Sequence, residues 1–135
     1  MSAITTNRAH ISQPLAAGLR IGIVVLTLAT AQIHASLGGL MFTVNAIGYA
    51  AFAAAMVLPG PFDQLRWLVR YALIGFTTVT IAGWLAFGGR FELAYIDKAI
   101  EVALIGLVLV ESWIVDGGPV AVARRIGREV ASLVG

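Results

Sequence analysis

Three polar side chains stand out because each lies inside a long apolar stretch of the chain. His34 lies near the end of the first stretch, Asn45 in the second, and Glu101 near the start of the last. An ionisable group at membrane depth costs roughly 3 kcal/mol unless it is paired or lines a cavity. Histidine also titrates near physiological pH and ligates metals. The three residues could therefore hold a proton, bind the head group of a quinone, or only hydrogen-bond to one another.

Composition indicates that a membrane surrounds most of the chain. Of the 135 residues, 59% are apolar and 12% are charged, against roughly 25% charged in soluble domains. The apolar residues gather in four stretches, each close to the ~20 residues that cross a bilayer. They predict an all-α fold, in which residues 1–135 form a single membrane domain with transmembrane helices at about 18–37, 39–58, 67–87 and 97–115. Short loops favour antiparallel packing of neighbouring helices in one bundle.

The first apolar stretch also has the three zones of a secretory signal peptide. Arg8 and Arg20 are followed by the apolar run 21–28 and then by Ala29-Thr30-Ala31. We expect this segment to be retained as a membrane helix. The chain has no cysteine, so disulfides and thiolate metal sites are excluded.

Basic residues predict the orientation of the chain. They concentrate before and at the beginning of the first span, around the loop between the second and third, and after the fourth: Arg8, Arg20, Arg66, Arg70, Arg124, Arg125 and Arg128. The loop 36–39 has no basic residue, and the segment 88–98 balances its basic residues with acidic ones. Because short basic loops stay in the cytoplasm, we expect a multi-pass protein of the bacterial inner membrane with both termini in the cytoplasm.

The last segment, residues 119–134, has the pattern of an amphipathic helix. Its apolar residues recur at helical spacing, and Arg124, Arg125 and Arg128 lie elsewhere on its circumference. Such a helix lies on the inner leaflet, where anionic lipids attract its arginines. The alternative is an arm that docks on a neighbouring subunit.

Small residues spaced four apart indicate where helices can approach one another closely. Gly18 and Gly22 form one pair in the first stretch, and Ala46, Ala50 and Ala54 form a ladder in the second. In lipid, helices associate through such close packing rather than through hydrophobicity. These residues are therefore candidates for interaction, within the chain or with other integral membrane subunits.

The last apolar stretch carries one acidic face. At helical spacing its members are Asp97, Glu101, Leu104, Val108 and Glu111. Lys98 lies three residues before Glu101 and can pair with it. Glu111 lies near the inner interface, where Arg70 or the basic tail can reach it. We expect this face to point into the bundle.

No motif indicates an enzyme. The chain lacks H-E-x-x-H, G-x-S-x-G and a phosphate-binding loop, so hydrolytic catalysis is not expected. His10 and His34 are expected at opposite faces of the membrane, which disfavours a haem held by two histidines. His34 alone could ligate a pigment or a metal, but a single ligand predicts no metal site, and no cofactor beyond a bound lipid, quinone or pigment is expected.

The run His34, Leu37-Gly38, Leu40, Phe42, Asn45, Gly48-Tyr49, with Tyr95, Lys98, Glu101 and the segment 102–111, resembles a type of uncharacterised four-helix bacterial membrane protein. In topology and size the chain also resembles the DoxX-like group of small membrane proteins. That resemblance implies four helices and an association with quinone-linked oxidoreductases.

Three hypotheses of function follow. The first is a non-catalytic accessory subunit of a larger bacterial membrane complex for respiratory or photosynthetic electron transfer, with membrane lipids and other integral subunits as partners and no nucleic acid. The second is a small transporter or channel for protons or cations that uses His34, Asn45 and Glu101. The third makes the same residues a quinone or pigment pocket.

Overall fold

The computed structural model describes the backbone of residues 2–135 and the side chains from residue 13 onward. Within that range the chain forms five helices and no strand: α1 (Ser2–Leu37), α2 (Leu40–Val57), α3 (Pro61–Phe87), α4 (Glu92–Val115) and α5 (Pro119–Val134). The predicted all-α class is therefore confirmed.

Three helical segments are long and apolar enough to cross a membrane: Gln13–Leu37, Leu40–Val57 and Pro61–Phe87. These match the first three predicted spans. At 24 residues α4 is also long enough to cross, but its charged residues set it apart from the other three. Helices α1 and α3 begin before residues 18 and 67, where the predicted spans start, because hydropathy locates the membrane and not the helix end.

Glycine and proline set the sharp turns between the helices. Gly38 and Gly39 join α1 to α2 with φ of 69° and 89°, a backbone region that is costly for residues with a Cβ atom. Gly60 has φ of 84° and is followed by Pro61 at the first position of α3. Proline suits that position because its missing amide proton has no partner there in any helix.

The described helices bury several charged residues beside an apolar core and expose many large apolar residues. Helix α1 packs against α2 and α4, and α3 packs against the same two helices. Arg70, Asp97, Glu101 and Glu111 are all buried, whereas Leu40 is 82% and Phe87 94% exposed. Water would not stabilise so much exposed apolar surface on a monomer, so this distribution fits a protein whose outer surface faces lipid.

Candidate functional site

Polar side chains from four helices meet near the ends of α1 and α3. We call this group the His34 cluster, and it comprises Thr30, His34, Tyr49, Thr80, Asp97, Lys98 and Glu101. Three helices contribute to it from their apolar segments, and α4 contributes its acidic face. The cluster therefore connects α1, α2, α3 and α4 at one depth along the bundle.

Glu101 is the centre of the cluster. Its Oε1 accepts hydrogen bonds from the Tyr49 hydroxyl at 2.8 Å and from Thr80 Oγ1 at 3.0 Å. Its Oε2 lies 2.6 Å from Lys98 Nζ, the pair that the sequence spacing predicts. Because Glu101 is fully buried, these partners replace the water that a carboxylate otherwise requires.

The hydrogen bonds of His34 fix its orientation. Its Nδ1 lies 2.9 Å from the carbonyl oxygen of Thr30. A carbonyl only accepts, so Nδ1 donates this bond and Nε2 carries the lone pair of the neutral ring. Among the described charged groups Nε2 faces Glu101 Oε1 at 3.9 Å, which is too long for a hydrogen bond. In the neutral ring Nε2 is thus an acceptor, and the side chain is only 3% exposed.

Asp97 is the second carboxylate of the cluster. Thr30 Oγ1 donates to its Oδ1 at 2.6 Å, and Lys98 Nζ lies 3.1 Å from its Oδ2. Lys98 therefore bridges Asp97 and Glu101. Two carboxylates face one ammonium group, so with neutral His34 the cluster carries one net negative charge.

A cleft of about 500 Å³ lies beside the His34 cluster. Its polar lining residues are His34, Asn45, Thr80, Asp97 and Lys98. Most of the remaining wall is apolar and rich in aromatic rings: Phe42, Trp84, Phe87 and Phe91. An apolar cleft with a few convergent polar groups is the usual form of a small-molecule site.

The structure brings the three sequence candidates to this one region. His34 lies beside Glu101, and Asn45 lines the cleft together with His34. Asn45 is half-buried, and its amide makes no hydrogen bond to the described side chains or backbone from residue 13 onward. The amide is therefore able to bind a molecule in the cleft.

A second polar group, the Glu111 cluster, lies at the other end of the same helices and comprises Arg20, Arg70, Glu111 and Asp116. Arg20 Nε and Arg70 Nε lie 3.0 Å and 3.1 Å from the two oxygens of Glu111. Arg70 Nη1 also lies 2.9 Å from Asp116 Oδ2. Two guanidinium groups balance two carboxylates, so this cluster joins α1, α3 and α4 without an unpaired charge.

The proposed interaction residues divide between buried and exposed positions. A Cβ atom on Gly22 would lie 3.3 Å from Leu107 of α4, so this glycine allows close packing, whereas Gly18 has no atom within 4 Å of such a Cβ. The alanine ladder of α2 faces outward, since Ala46 is half-buried and Ala50 and Ala54 are exposed.

The arginines of α5 are exposed. Arg125 pairs with Glu129 at 3.2 Å and its guanidinium lies 5.1 Å from the centre of the Trp67 ring. Arg124 and Arg128 are exposed beside it, on a helix with only one buried residue, Val122. Apart from the contact of Arg125 with Trp67 of α3, the arginines of α5 are thus open to the surroundings.

Sequence reasoning missed two hydroxyl partners of Glu101 and one arginine. The sequence assigned no site role to Tyr49 or Thr80, and the structure shows both hydroxyls bonded to Glu101. Arg20 was assigned to the membrane boundary, and it pairs with Glu111. One signal was available: Tyr49 and Glu101 each lie ten residues after the loop residue that precedes their helix, Gly39 and Phe91.

Comparison of the chain with protein-family models, curated proteins and solved structures finds no match. The resemblance to four-helix membrane proteins and to the DoxX-like group thus stays a prediction.

Proposed function

We propose that the protein binds a small lipophilic molecule with an oxygen-bearing head group, of the quinone class, in the cleft beside the His34 cluster. The observation that carries this proposal is a cleft whose lining is mostly apolar and rich in aromatic rings but includes the polar residues His34, Asn45 and Lys98. The protein would act by binding and orienting this molecule, without catalysing a reaction of its own.

The polar groups match the chemistry of a quinone ring. A ring carbonyl accepts hydrogen bonds, and both Lys98 Nζ and the Asn45 amide can donate one. A hydroxyl of the reduced ring donates, and His34 Nε2 can accept. Planar rings stack on aromatic side chains, which Phe42 and Trp84 supply in the cleft wall.

We infer that α4 is a fourth transmembrane helix. Its charged residues Asp97, Glu101 and Glu111 are buried among the other helices, while Val102 and Val110 are exposed. A charged residue that points inward and is paired does not prevent a helix from spanning a bilayer. Exposed apolar residues are what the lipid contacts.

The contacts across the bundle support an antiparallel arrangement of α1 and α4. Arg20 near the beginning of the apolar part of α1 meets Glu111 near the end of α4. His34 near the end of α1 meets Asp97 near the beginning of α4. With the arginine-rich segments inside, the Glu111 cluster lies toward the cytoplasm and the His34 cluster in the outer half of the bacterial inner membrane.

A fluorescence titration tests the binding proposal. Trp84 lines the cleft, so a short-chain benzoquinone that enters it should quench the Trp84 emission of the purified protein in detergent. Gly83 also lines the cleft, and no atom lies within 4 Å of a Cβ placed on it. Gly83→Leu should therefore fill part of the cleft without a clash and weaken the quenching.

Gly75→Leu is the matched control. Gly75 lies on the same helix, is likewise exposed and has no atom within 4 Å of its added Cβ, and it does not line the cleft. This variant should titrate as the natural protein does. The Trp84→Phe variant measures the background quenching of emission from the two other tryptophans. Equal quenching in the two leucine variants would contradict the proposal.

A second proposed role, compatible with the first, is that of an accessory subunit in a larger respiratory or photosynthetic membrane complex. The exposed alanines Ala50 and Ala54 on α2 support it, since small residues allow another helix to approach closely. Purification in mild detergent followed by mass spectrometry should then recover further integral membrane subunits. An Ala50→Leu variant should lose them, whereas recovery of a stable monomer would count against this role.

A further inference from the structure

We propose that His34, Asp97 and Glu101 form a binding site for one divalent first-row transition-metal ion, such as Zn²⁺, Mn²⁺ or Fe²⁺. One potential ligand atom from each of the three buried side chains lies within 4.8 Å of the others. This inference does not depend on whether the cleft binds a quinone.

The spacing of the three groups is close to that of a coordinated set. Nitrogen and carboxylate ligands lie about 2.0–2.2 Å from an ion such as Zn²⁺, so two ligands of one ion are at most about 4.4 Å apart. His34 Nε2 and Glu101 Oε1 already satisfy this limit at 3.9 Å. The three potential ligand atoms lie within 4.8 Å of one another, so the widest separation exceeds this limit by at most about 0.4 Å.

Each of the three side chains is oriented by a neighbour, as metal ligands usually are. His34 donates from Nδ1 to the Thr30 carbonyl, which leaves the Nε2 lone pair for an ion. Thr30 Oγ1 donates a hydrogen bond to Asp97 Oδ1. The Tyr49 hydroxyl donates a hydrogen bond to Glu101 Oε1. The hydrogen bonds of His34 within the described part of the chain use Nδ1, so Nε2 is left for an additional partner.

Charge also favours a cation here. Lys98 Nζ bridges the two carboxylates at 3.1 Å and 2.6 Å, and with a neutral His34 ring it leaves one negative charge unbalanced. Lys98 lines the cleft and its long stem can move the ammonium away. A divalent ion would then balance Asp97 and Glu101 completely. One imidazole with two carboxylates suits transition ions better than Mg²⁺ or Ca²⁺, which prefer oxygen ligands alone.

Binding of Zn²⁺ and Co²⁺ to the purified full chain in detergent tests the proposal. We expect one ion per chain by equilibrium dialysis, and visible d–d absorption from Co²⁺ that Zn²⁺ abolishes. Asp97→Asn and His34→Ala should each weaken binding by at least about tenfold. Glu129→Gln, an exposed carboxylate on α5, is the control and should bind as the natural protein does.

Lys98→Gln distinguishes the proposal from a loss of folding. Because this substitution removes the competing ammonium, it should tighten Co²⁺ binding by about tenfold, an effect that a damaged fold cannot produce. Gly83→Leu should leave ion binding unchanged, so the metal-site proposal and the quinone-site proposal can be rejected independently of each other. Absence of bound ion in the natural protein, or binding that is equal in natural protein, Asp97→Asn and Lys98→Gln, would overturn the proposal.

Discussion

The hydroxyl of Tyr49 on α2 donates a 2.8 Å hydrogen bond to Glu101 on α4, and both side chains are fully buried. Through this bond a charged residue of α4 is stabilised by the most apolar of the described helices, α2. We expect Tyr49→Phe to leave the carboxylate without one of its donors. The free energy of unfolding should fall by roughly 1–3 kcal/mol.

Unfolding in mixed detergent, followed by circular dichroism, measures this loss. Tyr95→Phe is the control, because Tyr95 is largely exposed and keeps its ring contact with Trp84 after the change. If the two phenylalanine variants unfolded at the same denaturant concentration, the hydrogen bond would not stabilise the fold.

Arg70 is the residue of the Glu111 cluster whose loss should be most costly. It is buried and pairs with both Glu111 and Asp116. Arg70→Gln leaves Glu111 with Arg20 alone and Asp116 without its guanidinium partner. Removing one member of a buried ion pair costs roughly 3–5 kcal/mol, so this variant should unfold far more easily, or accumulate poorly in membranes.

Arg125→Gln provides the comparison for that measurement. The Arg125–Glu129 pair is exposed on both sides, and exposed pairs contribute only about 0–1 kcal/mol. Similar stabilities of the Arg70 and Arg125 variants would show that the Glu111 cluster does not hold the helices together.

The orientation of the chain can be measured without background, because the natural sequence has no cysteine. We expect Ser36→Cys, in the exposed end of α1, to react with a membrane-impermeant maleimide in intact cells. Ser132→Cys, exposed on α5, should react only after the membrane is opened. The reverse pattern, or labelling of both positions in intact cells, would contradict the inside location of the termini.

The arginines of α5 should hold this helix on anionic lipid. A polarity-sensitive dye on Ser132→Cys should report a more apolar environment in nanodiscs with anionic lipid than in neutral ones. Replacing Arg124, Arg125 and Arg128 by glutamine should remove that difference, since each contributes about 1 kcal/mol near an anionic surface. Arg90→Gln, outside α5, should not change it.

Local spacing was enough to predict part of the fold and of the site. The acidic stripe of α4 and the Lys98–Glu101 pair depend only on the helical period, and the structure shows both. Three apolar stretches long enough to cross a membrane were visible for the same reason. Each of these predictions therefore needed only the sequence of a single helix.

Contacts between helices could not be predicted because they depend on how each helix is rotated. Helix α2 has small residues, including Ala50, on one side and Asn45 with Tyr49 on a neighbouring side, so spacing along α2 alone does not decide which side faces the other helices. The structure buries Tyr49 and exposes Ala50. The bonds from Tyr49 and Thr80 to Glu101 follow from that rotation, and the transport hypothesis for this region stays a prediction.

The most direct test of the binding proposal is to identify what the purified protein carries. Natural protein, Gly83→Leu and Gly75→Leu should be isolated from membranes in mild detergent, extracted with organic solvent and analysed by mass spectrometry. We expect a lipophilic molecule with ring oxygens, near one per chain, from the natural protein and Gly75→Leu, and a strong loss from Gly83→Leu. Extracts without such a molecule, or with equal amounts from all three, would contradict a ligand site beside His34.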